Sequence, residues 1–338
     1  MTPLKVGLLG FGGAGQVFHA PLIQAEPGLQ LCKIGSRNFA GKQLPQGVQG
    51  ASIQGVIDDP LIDLIVIATP NDSHASLAKL ALLAGKHVVV DKPFTVTLSE
   101  AAELVTLAQE QQRLLSVFHN RRWDGGFITA QKILPDLGEI SFAEFHFDRF
   151  SPQIKQRWRE EEIEGAGILY DLGPHLLDQI ICMFGMPKAV TANLARQRTG
   201  AKVDDFFHIM LEYDERRVVA HASSLMRDHA PRIALYGSDA SFFQYGFDGQ
   251  EGALKGGVSP GSRDWGQTLG GYARLMRASG AEEEIPLDAG CYEVFYKNIS
   301  DALHHGRSTF VTADQALDVM HVLIAAQESA LAHKRVSL

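Results

Sequence analysis

"KVGLLGFGGAG", residues 5–15, decides the fold. An apolar run stops at Gly10, and Gly10, Gly12 and Gly15 then follow the spacing G-x-G-x-x-G. Alone, three glycines are a weak signal. Here they follow a strand-like run and open "AGQVFHAPLIQAE", which reads as a helix, and that context is what the spacing requires. Gly10 makes the tight turn and Gly12 lets the backbone approach a pyrophosphate. Gly15 lets helix pack closely on strand, with the helix N-terminus facing the anion. The loop Gly10, Phe11, Gly12, Gly13, Ala14 and Gly15 is therefore read as a dinucleotide-binding turn. Its glycines also argue for a buried strand and turn rather than a secretory leader.

Working outward, short apolar runs alternate with helical patterns. "LQLCKIGSR", "DLIVIATP", "HVVVDKP" and "LLSVF" read as strands. "SHASLAKLALLAGK" and "TLSEAAELVTLAQEQQR" read as helices, the second opened by Thr97 and Glu100 at capping-box spacing. Strands this uniformly apolar are buried on both faces, as in a parallel sheet covered by helices. The repeated βαβ order predicts right-handed crossovers and a doubly wound, Rossmann-type sheet.

Beyond about residue 120 the pattern changes. "ISFAEFHFDRF", "DDFFHIMLEY", "RVVAHASSL" and "RIALYGS" are longer and alternate, as antiparallel strands packed on one face do. "PHLLDQIICMFG" and "DQALDVMHVLIAAQESALAHK" read as helices, and 246–268 as a long excursion. The expected organisation is an α/β domain over 1–120 and an α+β domain with a mainly antiparallel sheet over 121–338, joined near "HNRRWDGG".

Composition sets limits. The 338 residues suit two domains better than one. A formal net charge of −8, with no Lys/Arg cluster beyond short pairs, argues against a nucleic-acid partner. No run of 18 apolar residues exists, so no membrane span is expected. Cys32, Cys182 and Cys291 lack CxxC spacing, which suits a reducing cytoplasm and argues against disulfides or a zinc site. No metal is expected.

Three further stretches carry chemistry. At the end of the second strand a ribose-binding domain usually places an acid for the 2′-hydroxyl. Here Ser36 and Arg37 stand there, a hydroxyl and a guanidinium suited to a 2′-phosphate. NADP is the expected cofactor, with NAD as the alternative. In "DKPF", Lys92 ends a parallel strand, where open α/β sheets bind ligands, and Pro93 sets the chain direction after it.

"YDLGPHLLD", residues 170–178, sets Asp171 and His175 four apart. With Pro174 taken as the first helical position, Leu176, Leu177, Ile180, Ile181 and Phe184 form an apolar face. His175, Asp178, Gln179 and Cys182 then fall opposite, outside the core, with Asp171 in the lead-in turn. His175 thus reads either as a proton acceptor or as an ordinary packed side chain.

Taken together, "GFGGAGQVFHAPLI", "ATPNDSH", "GKHVVVDKPF", "VFHNRRWD", "QRWRE" and "YDLGPHLLDQ" resemble the Gfo/Idh/MocA family of sugar and polyol oxidoreductases essentially end to end. The resemblance is strongest to the branch of NADP-dependent scyllo-inositol dehydrogenases and YdgJ-like proteins. It implies a catalytic lysine at Lys92 and a catalytic Asp-x-x-x-His pair at Asp171 and His175. The family's usual E-K-P is here Asp91-Lys92-Pro93, which spares the lysine and the proline. Cofactor contacts are implied for the glycine loop, Ser36, Arg37, Thr69, Pro70, Asn71, His74, Asp91, Lys92, Asn120 and Trp158. The family's open-faced sheet implies a homodimer or homotetramer. The implied activity is hydride transfer between NADP and a ring secondary alcohol, most notably of scyllo-inositol. A related aldose or ketosugar oxidoreductase, or a non-enzymatic NADP-binding regulator, would share most of these features.

Overall fold

The glycine turn is preceded by β1 (Leu4–Leu9), whose Val6, Leu8 and Leu9 are fully buried. In the computed structural model, which describes residues 2–228, 230–263, 265–267 and 270–338, β1 lies inside a six-stranded parallel sheet. Its neighbours are β2 (Leu29–Gly35), β3 (Gln49–Ala51), β4 (Leu64–Ile67), β5 (His87–Val90) and β6 (Leu115–Val117), in the order β3-β2-β1-β4-β5-β6. The order reverses direction beside β1, which is where such sheets leave a crevice at their C-terminal ends. All four residues of β4 are buried, as a strand covered on both faces requires.

Helical residues run on from the glycine turn through a π-helical turn, Gly15–His19, into α1 (Ala20–Ala25). The crossovers then carry α2 (Ile53–Ile57), α3 (His74–Leu83) and α4 (Leu98–Glu110). The Thr97/Glu100 capping box at the start of α4 is present in both directions.

The second sheet has nine strands in the order β14-β13-β12-β11-β7-β10-β9-β8-β15. They are β7 (Ile140–His146), β8 (Ala189–Ala195), β9 (Phe206–Glu212), β10 (Arg217–Ser223), β11 (Ile233–Gly237), β12 (Ala240–Tyr245), β13 (Tyr272–Arg277), β14 (Glu282–Ile285) and β15 (Val336–Ser337). The pairing is antiparallel except between β7 and β10. This half holds α5 (Gly125–Ile133) and α6 (Ile168–Phe184), among other helical residues. Phe145 of β7 meets Phe184 of α6 edge-on, so residues on one face of β7 pack under that helix. Glu144 and His146 alternate onto the other face.

The chain separates into two compact units, and they are not two continuous pieces. The first break falls at Asn120/Arg121, but segments 250–265 and 291–317 cluster with residues 1–120. Those segments hold α7 (Gln250–Lys255) and α8 (Glu293–His305), and α9 (Ala313–Ala332) runs across the last break. A single cut after residue 120 therefore misses the returning segments. Hydrophobic pattern marks elements along the chain, whereas this return is a tertiary contact.

The start of α6 also corrects the sequence reading. The helix begins at Ile168 and Pro174 lies inside it. Proline there removes the bond to the Tyr170 carbonyl and crowds it, so the local preference for proline at a helix start pointed too far along the chain. What starts the helix is remote. Asp204 accepts the Leu169 N–H at 2.7 Å, and Gly167 adopts φ +92° in the bend before it. A Cβ on Gly167 would lie 2.1 Å from Asp204 Oδ1, so only glycine fits.

Candidate active site

The first unit presents the cofactor-binding half. Gly10 has φ +93°, and a Cβ there would sit 2.4 Å from the Ala68 carbonyl oxygen. At Gly15 a Cβ would sit 2.3 Å from the Gly10 oxygen, so helix and strand meet as closely as glycine allows. At Gly12 and Gly13 an added Cβ would meet nothing within 4 Å. The protein leaves that side of the loop open, beside Ala14 and above buried Phe11, which is the fit a pyrophosphate needs. At the end of β2, Ser36 Oγ donates to the Asn38 carbonyl at 2.9 Å and shapes the turn. Arg37 stands exposed beside it, and Gly10 N–H donates to the Gly35 carbonyl at 2.8 Å, tying this turn to the glycine loop.

The turn after β4 carries Thr69, Pro70 and Asn71. His74 is fully buried, its Nδ1 2.8 Å from the Pro93 carbonyl and its Nε2 2.9 Å from the Thr69 carbonyl. Burial pushes its pKa down, with Asp91 and the two carbonyls pulling the other way. Both ring nitrogens face backbone, so His74 clamps the Thr69–Asn71 turn to the loop that holds Lys92.

Asp91 and Lys92 follow β5. Lys92 is half-buried and its bond to Pro93 is cis. Asp91 is buried, and its carboxylate lies 3.5 Å from His19 Nε2. His19 Nδ1 lies 2.6 Å from the Tyr296 hydroxyl. Burial would raise the Asp91 pKa, but His19, then Lys92 and His74, outweigh it and hold the carboxyl below its ordinary value. The Tyr296 hydroxyl thus holds the His19 ring, whose Nε2 faces the carboxylate of the residue next to Lys92. Sequence reading missed this contact, because Tyr296 is 277 residues from His19. Buried Asn120 is the last residue of this stretch of the unit.

The second unit carries Trp158, Asp171 and His175. Asp171 and His175 are both inside α6, so their spacing of four puts them one turn apart on one face. The structure places His175 inside the protein, 7 % exposed, where the sequence reading had it outside the core. Asp178 and Gln179 are buried too, because the polar side of α6 meets protein rather than water. Asp178 takes a bidentate bond from Arg122, at 2.7 and 2.9 Å, and Gln179 donates to the Arg121 carbonyl at 2.7 Å.

Asp171 pairs with Arg149 at 3.7 Å and Arg159 at 3.4 Å, and the Arg159 guanidinium lies 4.6 Å from the centre of the Trp158 ring. Burial pushes the Arg149 pKa down against the pull of Asp171. A buried ion-pair cluster holds the segment bearing Trp158, with Arg198 bonded to Glu160 at 2.6 Å and to Asp205 at 2.9 Å. Arg149, Arg159 and Arg198 escaped the sequence reading. Only Arg159 had a local signal, as the neighbour of Trp158 in "QRWRE".

A parallel sheet with an open glycine turn and a strand-end lysine, and a separate open-faced sheet whose helix bears an Asp-His pair, define a two-domain nicotinamide-cofactor oxidoreductase. The match is explicit. Residues 4–119 match the NAD-binding Rossmann fold of the oxidoreductase family, and residues 131–338 match its C-terminal alpha/beta domain. This chain belongs to the Gfo/Idh/MocA oxidoreductase family, and it is an NAD(P)-binding dehydrogenase acting on CH–OH groups.

Among its relatives is the uncharacterized oxidoreductase YdgJ of Escherichia coli (strain K12). The two are 46 % identical over 333 residues, covering 97 % of this chain and 96 % of the relative. The scyllo-inositol 2-dehydrogenase (NADP(+)) IolW of Bacillus subtilis (strain 168) is 37 % identical, covering 99 % of this chain and 96 % of the relative. The solved structure of putative oxidoreductase yvaA from Bacillus subtilis superposes with a TM-score of 0.94 at 36 % identity, covering 100 % of this chain and 99 % of the other. Among the described residues, no helix is long and apolar enough to cross a membrane.

Proposed function

We propose that this chain is a cytoplasmic, NADP-dependent dehydrogenase that oxidises a ring secondary alcohol of a polyol, scyllo-inositol first among them. Residues 1–120 supply most of the cofactor site, and the remainder supplies substrate contacts and a homo-oligomer interface. The observation that carries the reading is the Asp171/His175 pair, one turn apart on a helix whose surroundings are buried. The pair sets an imidazole and a carboxylate on one helix face, and an alcohol oxidation needs a proton acceptor. The inositol preference is supported by likeness to IolW, and the NADP preference by Ser36 and Arg37 in place of an acid.

A nicotinamide cofactor held on the glycine loop Gly10–Gly15 would supply the hydride acceptor for the carbinol carbon. The hydroxyl proton goes to His175 or to Lys92, and the carbonyl product leaves. Whichever of the two is not the base supplies positive charge or a hydrogen bond beside the developing alkoxide. Asp171, paired with Arg149 and Arg159, accepts from a neighbouring substrate hydroxyl or orients the imidazole.

The test is a turnover screen with NADP and NAD against inositol isomers, aldoses and ketosugars. NADP-linked oxidation of scyllo-inositol is expected to dominate. Turnover confined to aldoses would move the substrate assignment, and NADP binding without turnover of any polyol would mark a regulator.

A further inference from the structure

Three histidines stand in a row across the face of the nine-stranded sheet that points away from α6. His146 pairs with His221 in the register of β7 and β10, and His221 pairs with His208 in the register of β10 and β9. Asp148 lies two residues beyond His146 and faces the same way. His146, Asp148 and His221 each offer a ligand atom, and the three atoms lie within 4.8 Å of one another. We propose that His146, Asp148 and His221 bind a first-row divalent transition cation such as zinc, apart from the dehydrogenase site.

Geometry supports this first. Zinc–ligand bonds of about 2.0–2.1 Å in a tetrahedron set ligand atoms about 3.3 Å apart. His146 Nδ1 is 3.1 Å from Asp148 Oδ2, and His221 Nε2 is 3.4 Å from Asp148 Oδ1. Two imidazoles and one carboxylate suit such a cation, and they leave a fourth position for water or another donor.

The second support is independent. His221 is 5 % exposed, yet its Nε2 has no hydrogen bond among the described residues and points at Asp148. A buried nitrogen left in that state is costly unless something occupies it.

The third is the outer ring of partners, which metal-binding side chains need to hold their orientation. Glu144 Oε1 lies 3.8 Å from His146 Nε2, on the side away from Asp148. His208 Nδ1 lies 3.4 Å from His221 Nδ1, so it can accept that N–H once Nε2 holds a metal. The Ser223 N–H donates to Asp148 Oδ1 at 3.0 Å and fixes the carboxylate. Each histidine thus has a neighbour at the ring nitrogen away from Asp148, and the Ser223 N–H holds the carboxylate.

The rival account is an imidazolium clamped between carboxylates. His146 Nδ1 lies 3.1 Å from Asp148 and Nε2 lies 3.8 Å from Glu144. That account holds His146 between Asp148 and Glu144 and leaves His221 Nε2 beside the same Asp148 carboxylate with no cation between them.

Titration calorimetry of the tag-free full-length chain, stripped with chelator, separates the two accounts. Zinc is expected to bind with one equivalent per chain and micromolar or tighter affinity. His221→Ala should abolish this binding, and Glu144→Gln should weaken it about 10- to 100-fold by removing the backing carboxylate. NADP binding should be unchanged in both variants. Should His221→Ala fail to fold, Co²⁺ added to the wild-type chain is expected to give the intense visible absorption of a low-coordinate site, erased by Zn²⁺. Absence of saturable zinc binding, zinc affinity unchanged in both variants, or an octahedral aquo-cobalt spectrum would each overturn the proposal.

Discussion

On the proposed function, oxidation of an alcohol leaves a proton to be placed, and His175 and Lys92 are the two candidates to take it. Replacing His175 by Ala is expected to lower kcat by ~10²–10⁴, the range for loss of a general base. Lys92→Ala should lose a comparable amount, with NADP affinity changed far less by either. Because His175 is buried, circular dichroism and a melting curve must accompany the rates, and His175→Gln serves as the filled-volume control. Near-wild-type kcat in a folded His175→Ala protein would leave Lys92 as the base. Arg37 tests the cofactor assignment at the same scale. A guanidinium bonded to the 2′-phosphate is worth roughly 1.5–3 kcal/mol, so kcat/KM should favour NADP by at least ~10-fold, and Arg37→Asp should erase or reverse that ratio. An unchanged ratio would reduce Arg37 to a solvated surface charge.

At the scale of the element, α6 is held by groups outside it. Asp204 bonds its first turn, and burial pushes this carboxyl up to about 6, outweighing the bond from Leu169 N–H. A carboxyl whose folded pKa is raised binds its proton more tightly in the folded chain. Its stabilising share is therefore complete below the unfolded value near 3.8 and is lost as pH rises towards 6. Asp204→Asn keeps an acceptor without the charge, so its melting temperature relative to wild type should climb between pH 4 and pH 6.5 and then level off. Asp204→Ala, which removes the cap, should cost about 1 kcal/mol. A flat difference between Asn variant and wild type across that window would show that Asp204 ionises freely in the fold.

At the scale of the whole molecule, the nine-stranded sheet leaves an aromatic face uncovered by α6. Phe142 stacks near Tyr236 at 5.7 Å between ring centres, Tyr236 meets Phe243 at 5.4 Å, and Tyr245 stacks on Tyr272 at 4.8 Å. Tyr272 is 43 % exposed and Met276 37 %. Aromatic and apolar side chains gathered on one sheet face in this way are characteristic of an interface. Sedimentation velocity at micromolar concentration is expected to show two or four chains per particle, and a sole species of 36.9 kDa would refute this.

How much of this was legible depended on the range of the forces involved. The glycine turn, the parallel strands, the capping box of α4 and the strand-end lysine are local patterns, in which sterics and periodicity act within a few residues. They were readable as the chain stands. The start of α6 was not, because its cap is 35 residues away at Asp204 and overrides the usual preference of Pro174. Burial of His175, Asp178 and Gln179 was also hidden, since a helix with a polar side reads as half-exposed until Arg121 and Arg122 are known to meet it. The Tyr296–His19–Asp91 chain, the arginines on Asp171 and the histidine row across β7, β10 and β9 join residues far apart in sequence. Polar side chains bond at short range in space with no periodicity along the chain, so only the tertiary structure decided which of them meet.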